Sequence, residues 1–267
     1  MQKNFLKDNY KKINEITNKF SGFPDIDRIK IQIWFDNFEK EHQSLALKVL
    51  DNIIYFDESK IHQSSVNILN QIKNLKNNNL SKVFFCNLGG PGKSGEHMKY
   101  PFKVANNLSE SNFIYLSDIK SLCVEEDITV VFLDDFIGTG NQIIAQWNKV
   151  RGDIVPDNVE VFCGVVAGFK NGITNINQNT PIKVLCHKYL SDEDMLFSDK
   201  NTTFNNKEKK ILKEYCNKTG VTETEAYGKC QALVVFSHRT PNNTLPIIGA
   251  KNPRWKGLFP RYPRNQE

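Results

Sequence analysis

Residues 129–143, TVVFLDDFIGTGNQI, constrain this chain more than any other stretch. An apolar run ends in two adjacent carboxylates, Asp134 and Asp135. A short loop then closes with Gly138, Thr139 and Gly140, and a helical pattern starts at Asn141. Strands buried on both faces read as continuous apolar runs, so Val130 to Leu133 is expected to be a central strand of an α/β sheet. The carboxyl end of such a strand opens into the crevice where open α/β sheets bind ligands. Two carboxylates there can accept hydrogen bonds from ribose hydroxyls. The glycines let the backbone approach a phosphate, free N–H groups at the start of the next helix can bind it, and the Thr139 hydroxyl adds a donor.

Four apolar residues, two acids, two mostly apolar residues, then a small residue, Thr and Gly: this order resembles the phosphoribosyl pyrophosphate (PRPP) motif of type I phosphoribosyltransferases. The resemblance implies that Asp134 and Asp135 hold the ribose hydroxyls and Mg²⁺, and that Phe136, Ile137, Gly138, Thr139, Gly140, Asn141 and Gln142 cradle the 5′-phosphate. Two positions depart from the pattern. Gly138 stands where many members carry an aspartate that works as acid or base, and Gln142 stands where many carry a second phosphate-binding Thr or Ser. Binding is therefore better supported than chemistry.

A second glycine-rich loop lies in CNLGGPGKSGEH, residues 86–97. A P-loop needs Gly five residues before the Gly of Gly-Lys-Ser, and that position holds Asn87. Glu96, His97 and Tyr100-Pro101 also make a poor start for a long helix. The resemblance assigns the loop to the diphosphate instead, through Gly89, Gly90, Gly92, Lys93 and Ser94, which suit an anion-binding concavity. Lys99 and Lys103 are further cations within reach of it. About thirty residues separate Gly95 from Thr129, at the start of the motif strand, fewer than phosphoribosyltransferases usually place there.

The 267 residues can bury one large core, or one core with an appendage. Hydrophobic content of 39% with 24% charged residues fits a globular chain. No apolar stretch nears the roughly 20 residues that span a bilayer, and the first twenty residues lack a secretory pattern. A cytoplasmic location without a membrane partner is expected. Six scattered cysteines without a Cys-x-x-Cys pair read as free thiols in a reducing compartment. The five histidines show no zinc spacing. A net charge of +5 is too small and too dispersed to establish nucleic-acid binding.

Periodicity gives the layout. Residues 1–80 read as mainly helical, with amphipathic spacing over Lys30–Phe56 and again over Glu58–Leu75. Strands are expected at 82–88, 112–118, 128–134, 158–168, 182–188 and 232–238. Helices are expected over 141–150, 207–216 and 223–231. Alternation of this kind predicts a mostly parallel sheet flanked by helices. The expected division is a helical N-terminal segment (1–80), a type I phosphoribosyltransferase-like α/β core (81–240) and a Pro-rich C-terminal hood (241–267). In the hood, Asn242 and Asn243 offer amides suited to a base edge, and Trp255 or Phe259 a stacking face.

The layout is also similar to a bacterial group of phosphoribosyltransferase-like proteins encoded near defence and conflict systems, retrons among them. That likeness rests on the GPGKSG loop (90–95) and the Asn-Asn-Thr-Leu-Pro string (242–246). It implies a role in antiphage defence and a defence-system protein partner. Three functions stand open: transfer or cleavage of a 5-phosphoribosyl group, a catalytically silent nucleotide sensor, and P-loop nucleotide hydrolysis. The sequence leaves the oligomeric state open.

Overall fold

The computed structural model describes residues 9–89, 94–125 and 127–261. In chain order the elements are α1 (Tyr10–Lys19), α2 (Arg28–Phe35), α3 (Gln43–Asp51), β1 (Ile54–Phe56), α4 (Glu58–Leu75), β2 (Val83–Cys86), α5 (Ser94–Asn106), α6 (Ile119–Glu125) and β3 (Thr129–Ile137). There follow α7 (Asn141–Val150), β4 (Glu160–Phe169), α8 (Lys170–Asn179), β5 (Lys183–Leu190), α9 (Asn206–Lys218), β6 (Val234–Phe236), α10 (Pro246–Gly249), β7 (Lys251–Asn252) and β8 (Trp255–Lys256). The chain forms two compact units, one of residues 59–191 and one of residues 1–58 with 192–267.

The unit of residues 59–191 is a parallel α/β layer structure. Four parallel strands lie in the order β2-β3-β4-β5. The inner strands β3 and β4 are buried on both faces, as their continuous apolar runs require, while the edge strand β5 exposes Lys183 and residues 187–189. On one face Val130, Phe132, Val161, Cys163 and Val165 pack with Trp147 of α7 and Ile173 and Ile176 of α8. The other face carries α4 and α5. Gly164 leaves room there for Ile68 of α4, since a β-carbon at 164 would lie 2.7 Å from the Ile68 side chain. Phe85 of β2 meets Phe102 of α5 at 4.9 Å between ring centroids.

The other unit is built on a helical, aromatic-rich core. Phe20, Trp34, Phe35, Tyr215, Trp255 and Phe259 are all buried in it. Asp27 caps α2 by accepting the Lys30 N–H at 2.7 Å. Asn205 and Glu208 form a reciprocal capping box at the start of α9. Its two chain segments are joined by the parallel pair β1–β6, with Ile54 opposite Val234 and Phe56 opposite Phe236.

Four local expectations are corrected. Residues 54–56 are a strand, not the end of a helix. Residues 112–118 are short 3₁₀ turns joined to β2 by a single bridge, Phe113 to Phe85, and not a strand. Residues 223–231 are turns, because Ala226, Gly228, Lys229 and Gln231 all have positive φ. Finally, Ser94–Asn106 is a helix of 13 residues despite Pro101.

Candidate functional site

The site starts from the way β2 and β3 end. The helix after β2, α5, goes to one face of the sheet, while α7, after β3, goes to the opposite face. The two loops diverge, and a crevice opens between the carboxyl ends of these neighbouring strands, as in doubly wound sheets. Leu88, Gly89 and Gly95 line one side, Leu133 and Asp134 the floor, and Gln142, Ile143 and Gln146 the other side. Of the residues expected to cradle a phosphate, only Gln142 lines this space; Phe136, Ile137, Gly138, Thr139, Gly140 and Asn141 do not, while Gly89 and Gly95 line it from the side of the loop after β2. The crevice is narrow, about 20 Å³, which is room for about one water molecule.

Strand pleating separates the acidic pair. Side chains alternate between faces, so Asp134 points to the α7 side with Phe132, and Asp135 to the α4–α5 side with Leu133. Asp134 is half-buried and lines the crevice, and its Oδ1 accepts the Asp135 N–H at 2.9 Å. Asp135 is fully buried and does not line the crevice. The Asp134 charge is felt at Cys163, the next strand's residue in this wall. Burial pushes that thiol well above its ordinary value, and the Asp134 carboxylate and then Cys186 push it further.

The loop after β3 is held by close backbone approach. Gly140 has φ +80° and caps α7 without a side chain. A β-carbon there would lie 2.5 Å from the Gly172 carbonyl oxygen, and one on Gly172 would lie 2.0 Å from the Gly138 oxygen. Only glycine fits both places. The Asn175 amide of α8 donates to the Thr139 carbonyl at 2.9 Å and to Asn141 Oδ1 at 3.0 Å. Thr139 Oγ1 accepts the Asn141 N–H at 3.4 Å. The next N–H groups of α7 have no acceptor within their own helix. Phe136 and Ile137 are buried, so their side chains serve the core and only their backbone can serve a ligand. Gly172 and Asn175 escaped the sequence reading, because neither lies in a recognisable motif.

Of the residues expected to hold a diphosphate, Gly89 lines the crevice and Ser94 opens α5. Gly90, Gly92 and Lys93 lie outside the described residues. Gly95, not singled out earlier, is tightly placed: a β-carbon there would lie 2.3 Å from the Leu133 carbonyl oxygen. Lys99 and Lys103 belong to a neighbouring cleft. Lys99 Nζ lies 3.4 Å from Glu96 and Lys103 pairs with Glu110.

The tail residues lie in the other unit. Asn242 is exposed, and its carbonyl accepts the Tyr227 N–H at 3.0 Å. The Asn243 amide donates to the Tyr227 carbonyl at 3.0 Å and approaches Cys230 Sγ at 3.2 Å, so it braces its own loop. Trp255 and Phe259 are buried, and the Trp255 indole N–H donates to the Ile247 carbonyl at 3.0 Å. They are core residues, not free stacking faces, which corrects that expectation.

A parallel α/β unit with a crevice between the carboxyl ends of adjacent strands, floored by a carboxylate and flanked by a helix whose N-cap is a glycine, defines the class. The chain belongs to the PRTase-CE family, a phosphoribosyltransferase-like family, which it matches over residues 31–261. The match reaches well beyond the expected core of 81–240, into α2 and through the tail. No curated protein and no solved structure matches the chain. No helix among the described residues is long and apolar enough to cross a membrane.

Proposed function

We propose that the protein binds PRPP or a ribonucleotide in the crevice between β2 and β3. One observation supports this above all: Asp134, the Gly89 end of the second glycine-rich loop and the first turn of α7 line the same space. In this reading Asp134 accepts hydrogen bonds from the ribose hydroxyls. Asp135, fully buried, supports the strand end from the opposite face. Backbone N–H groups of residues 138–142 hold the 5′-phosphate, and residues 89–94 hold a diphosphate. A sugar phosphate exceeds the narrow space, so binding draws the two loops apart.

Mg²⁺ fits this donor set. It is commonly bound by one or two carboxylates together with substrate phosphates, keeping several waters. Asp134 supplies a half-exposed carboxylate beside both anion-binding loops. The ion would neutralise charge on the diphosphate.

The reaction matching this arrangement is 5-phosphoribosyl transfer. The bond from ribose C1 to diphosphate breaks, and one from C1 to a base nitrogen forms, or the reverse occurs. The Asp134 carboxylate would stabilise positive charge developing on the sugar. A second reading is a silent nucleotide sensor that passes its ligand state to a partner protein of a defence system. It is favoured by the crevice's chemistry, since Asp134 is the one carboxylate among its described lining residues and Gly138 offers no acid or base. The test is a calorimetric screen of PRPP, ribose 5-phosphate and nucleotides, with and without Mg²⁺, paired with a diphosphate-release assay. Binding with turnover supports transfer, and binding without turnover supports the sensor. Absence of binding to every compound rejects both.

A further inference from the structure

We propose that the cleft between α5 and residues 110–115 receives the planar, hydrogen-bonding heterocyclic base of the ligand. This rests on the reading of the adjoining crevice as the ribose-phosphate site. The two spaces share α5 and are one residue apart along it: Gly95 lines the crevice and Glu96 lines the cleft. Both spaces therefore border the first turn of α5, and in this reading a ligand held by its sugar phosphate in the crevice extends its base past that turn into the cleft. At about 340 Å³ the cleft has the room that the crevice lacks.

Its walls suit a flat polar ring. Tyr100 stands on the α5 wall and Tyr115 on the other, 73% and 69% exposed. Single exposed apolar side chains are ordinary, but here two tyrosines line one cleft from opposite walls, which offers aromatic surface to a ring, with the Lys99 ammonium over Tyr115. Glu96 and Glu110 can accept hydrogen bonds from amino and imino groups, and Lys99 can donate to ring carbonyls.

Contacts also link the walls to each other and to the sheet edge. Lys99 Nζ lies 5.1 Å from the centre of the Tyr115 ring and 3.4 Å from Glu96. Its charge reaches the end of β2, where it opposes the burial that pushes the Cys86 thiol up to about 12. The Lys103–Glu110 pair ties one wall to the other. The Ile114 N–H donates to the Phe85 carbonyl at 3.0 Å, and the Tyr115 N–H to Asp118 at 2.9 Å. The short inter-loop segment, which leaves no space for a further strand, thus builds a pocket. The tail amide of Asn243, by contrast, is already engaged within its own loop.

The test uses the full chain and the double variant Tyr100→Ala/Tyr115→Ala, whose side chains are mostly in solvent. Dissociation constants are measured for ribose 5-phosphate and for the four common ribonucleoside monophosphates. The expected result is unchanged ribose 5-phosphate affinity, a loss of about tenfold or more for the preferred nucleotide, and a narrowed spread among bases. Tyr100→Phe/Tyr115→Phe keeps the rings and should keep the affinity. Unchanged nucleotide affinity and base preference in the alanine variant would overturn the proposal. So would their loss in Asn242→Ala/Asn243→Ala instead. If the wild type does not bind ribose 5-phosphate, the crevice reading fails by itself and free nucleosides decide the cleft. Nucleoside binding that disappears in the alanine variant sustains it, and absent or unaltered nucleoside binding refutes it.

Discussion

At the residue scale, the acidic pair divides its labour by strand pleat. Asp134→Asn removes the charge facing the crevice and leaves the packed core alone. A hydrogen bond to a charged group contributes about 1.5–3 kcal/mol, so ribose 5-phosphate affinity should fall about tenfold or more while the melting temperature stays close to wild type; calorimetric titration and thermal unfolding check both. Gly140→Ala strains a backbone at φ +80° and drives a methyl into the Gly172 carbonyl. It should destabilise the fold by about 2–4 kcal/mol, read as a lowered midpoint in urea unfolding. The thiols sort by burial. Burial raises all six thiols, but Cys123 is only half-buried while the other five are buried away from a reagent. Brief native-state alkylation followed by peptide mass mapping should mark Cys123 first, since the thiolate is the reactive form.

At the element scale, Glu160 at the start of β4 ties the sheet to the end of α4. Its carboxylate meets Lys76 Nζ at 2.6 Å and Lys183 Nζ at 3.5 Å. Burial raises its pKa, but the two ammonium groups outweigh burial and hold it below the ordinary glutamate value. A carboxyl lowered on folding stabilises above its unfolded pKa, and that contribution fades as pH falls through the folded one. Glu160→Gln should therefore flatten the decline in melting temperature between about pH 5 and pH 3. Elements of this length were legible because their pattern is local: α4 has the bounds its periodicity predicts, and β3 reads directly from TVVFLDD. The misses have physical causes. β1 is three residues long, too short to show alternation, and its partner β6 is remote in sequence. Residues 112–118 look like a strand, but Asn112 and Asp118 accept backbone N–H groups from Ser109 and Tyr115 and turn the chain. α5 contains a proline, yet Met98 and Phe102 are buried on either side of it, and that packing outweighs the lost hydrogen bond. The β3–α7 side of the site was legible from its motif. The clamp of Gly172 and Asn175 was not, because it is supplied by another helix.

At the scale of the whole molecule, the crevice lies in one continuous stretch, residues 59–191, while the other unit is assembled from both ends of the chain. A fragment of residues 59–191 contains its own sheet, both helical layers and every described residue of the crevice. It should fold cooperatively and bind ribose 5-phosphate within about threefold of the full chain, a margin of under 1 kcal/mol, as circular dichroism and titration would show. The same arrangement fixes an order of events during synthesis. Ile54–Phe56 leaves the ribosome early, but Val234–Phe236, the strand that pairs with it, is made only after the whole crevice unit. At about 5–20 residues per second the wait is on the order of ten seconds or more. The nascent chain therefore carries a finished crevice while its leading segment waits with an unpaired strand edge. That interval is when the chain is most open to chaperone capture or to mispairing with a neighbour.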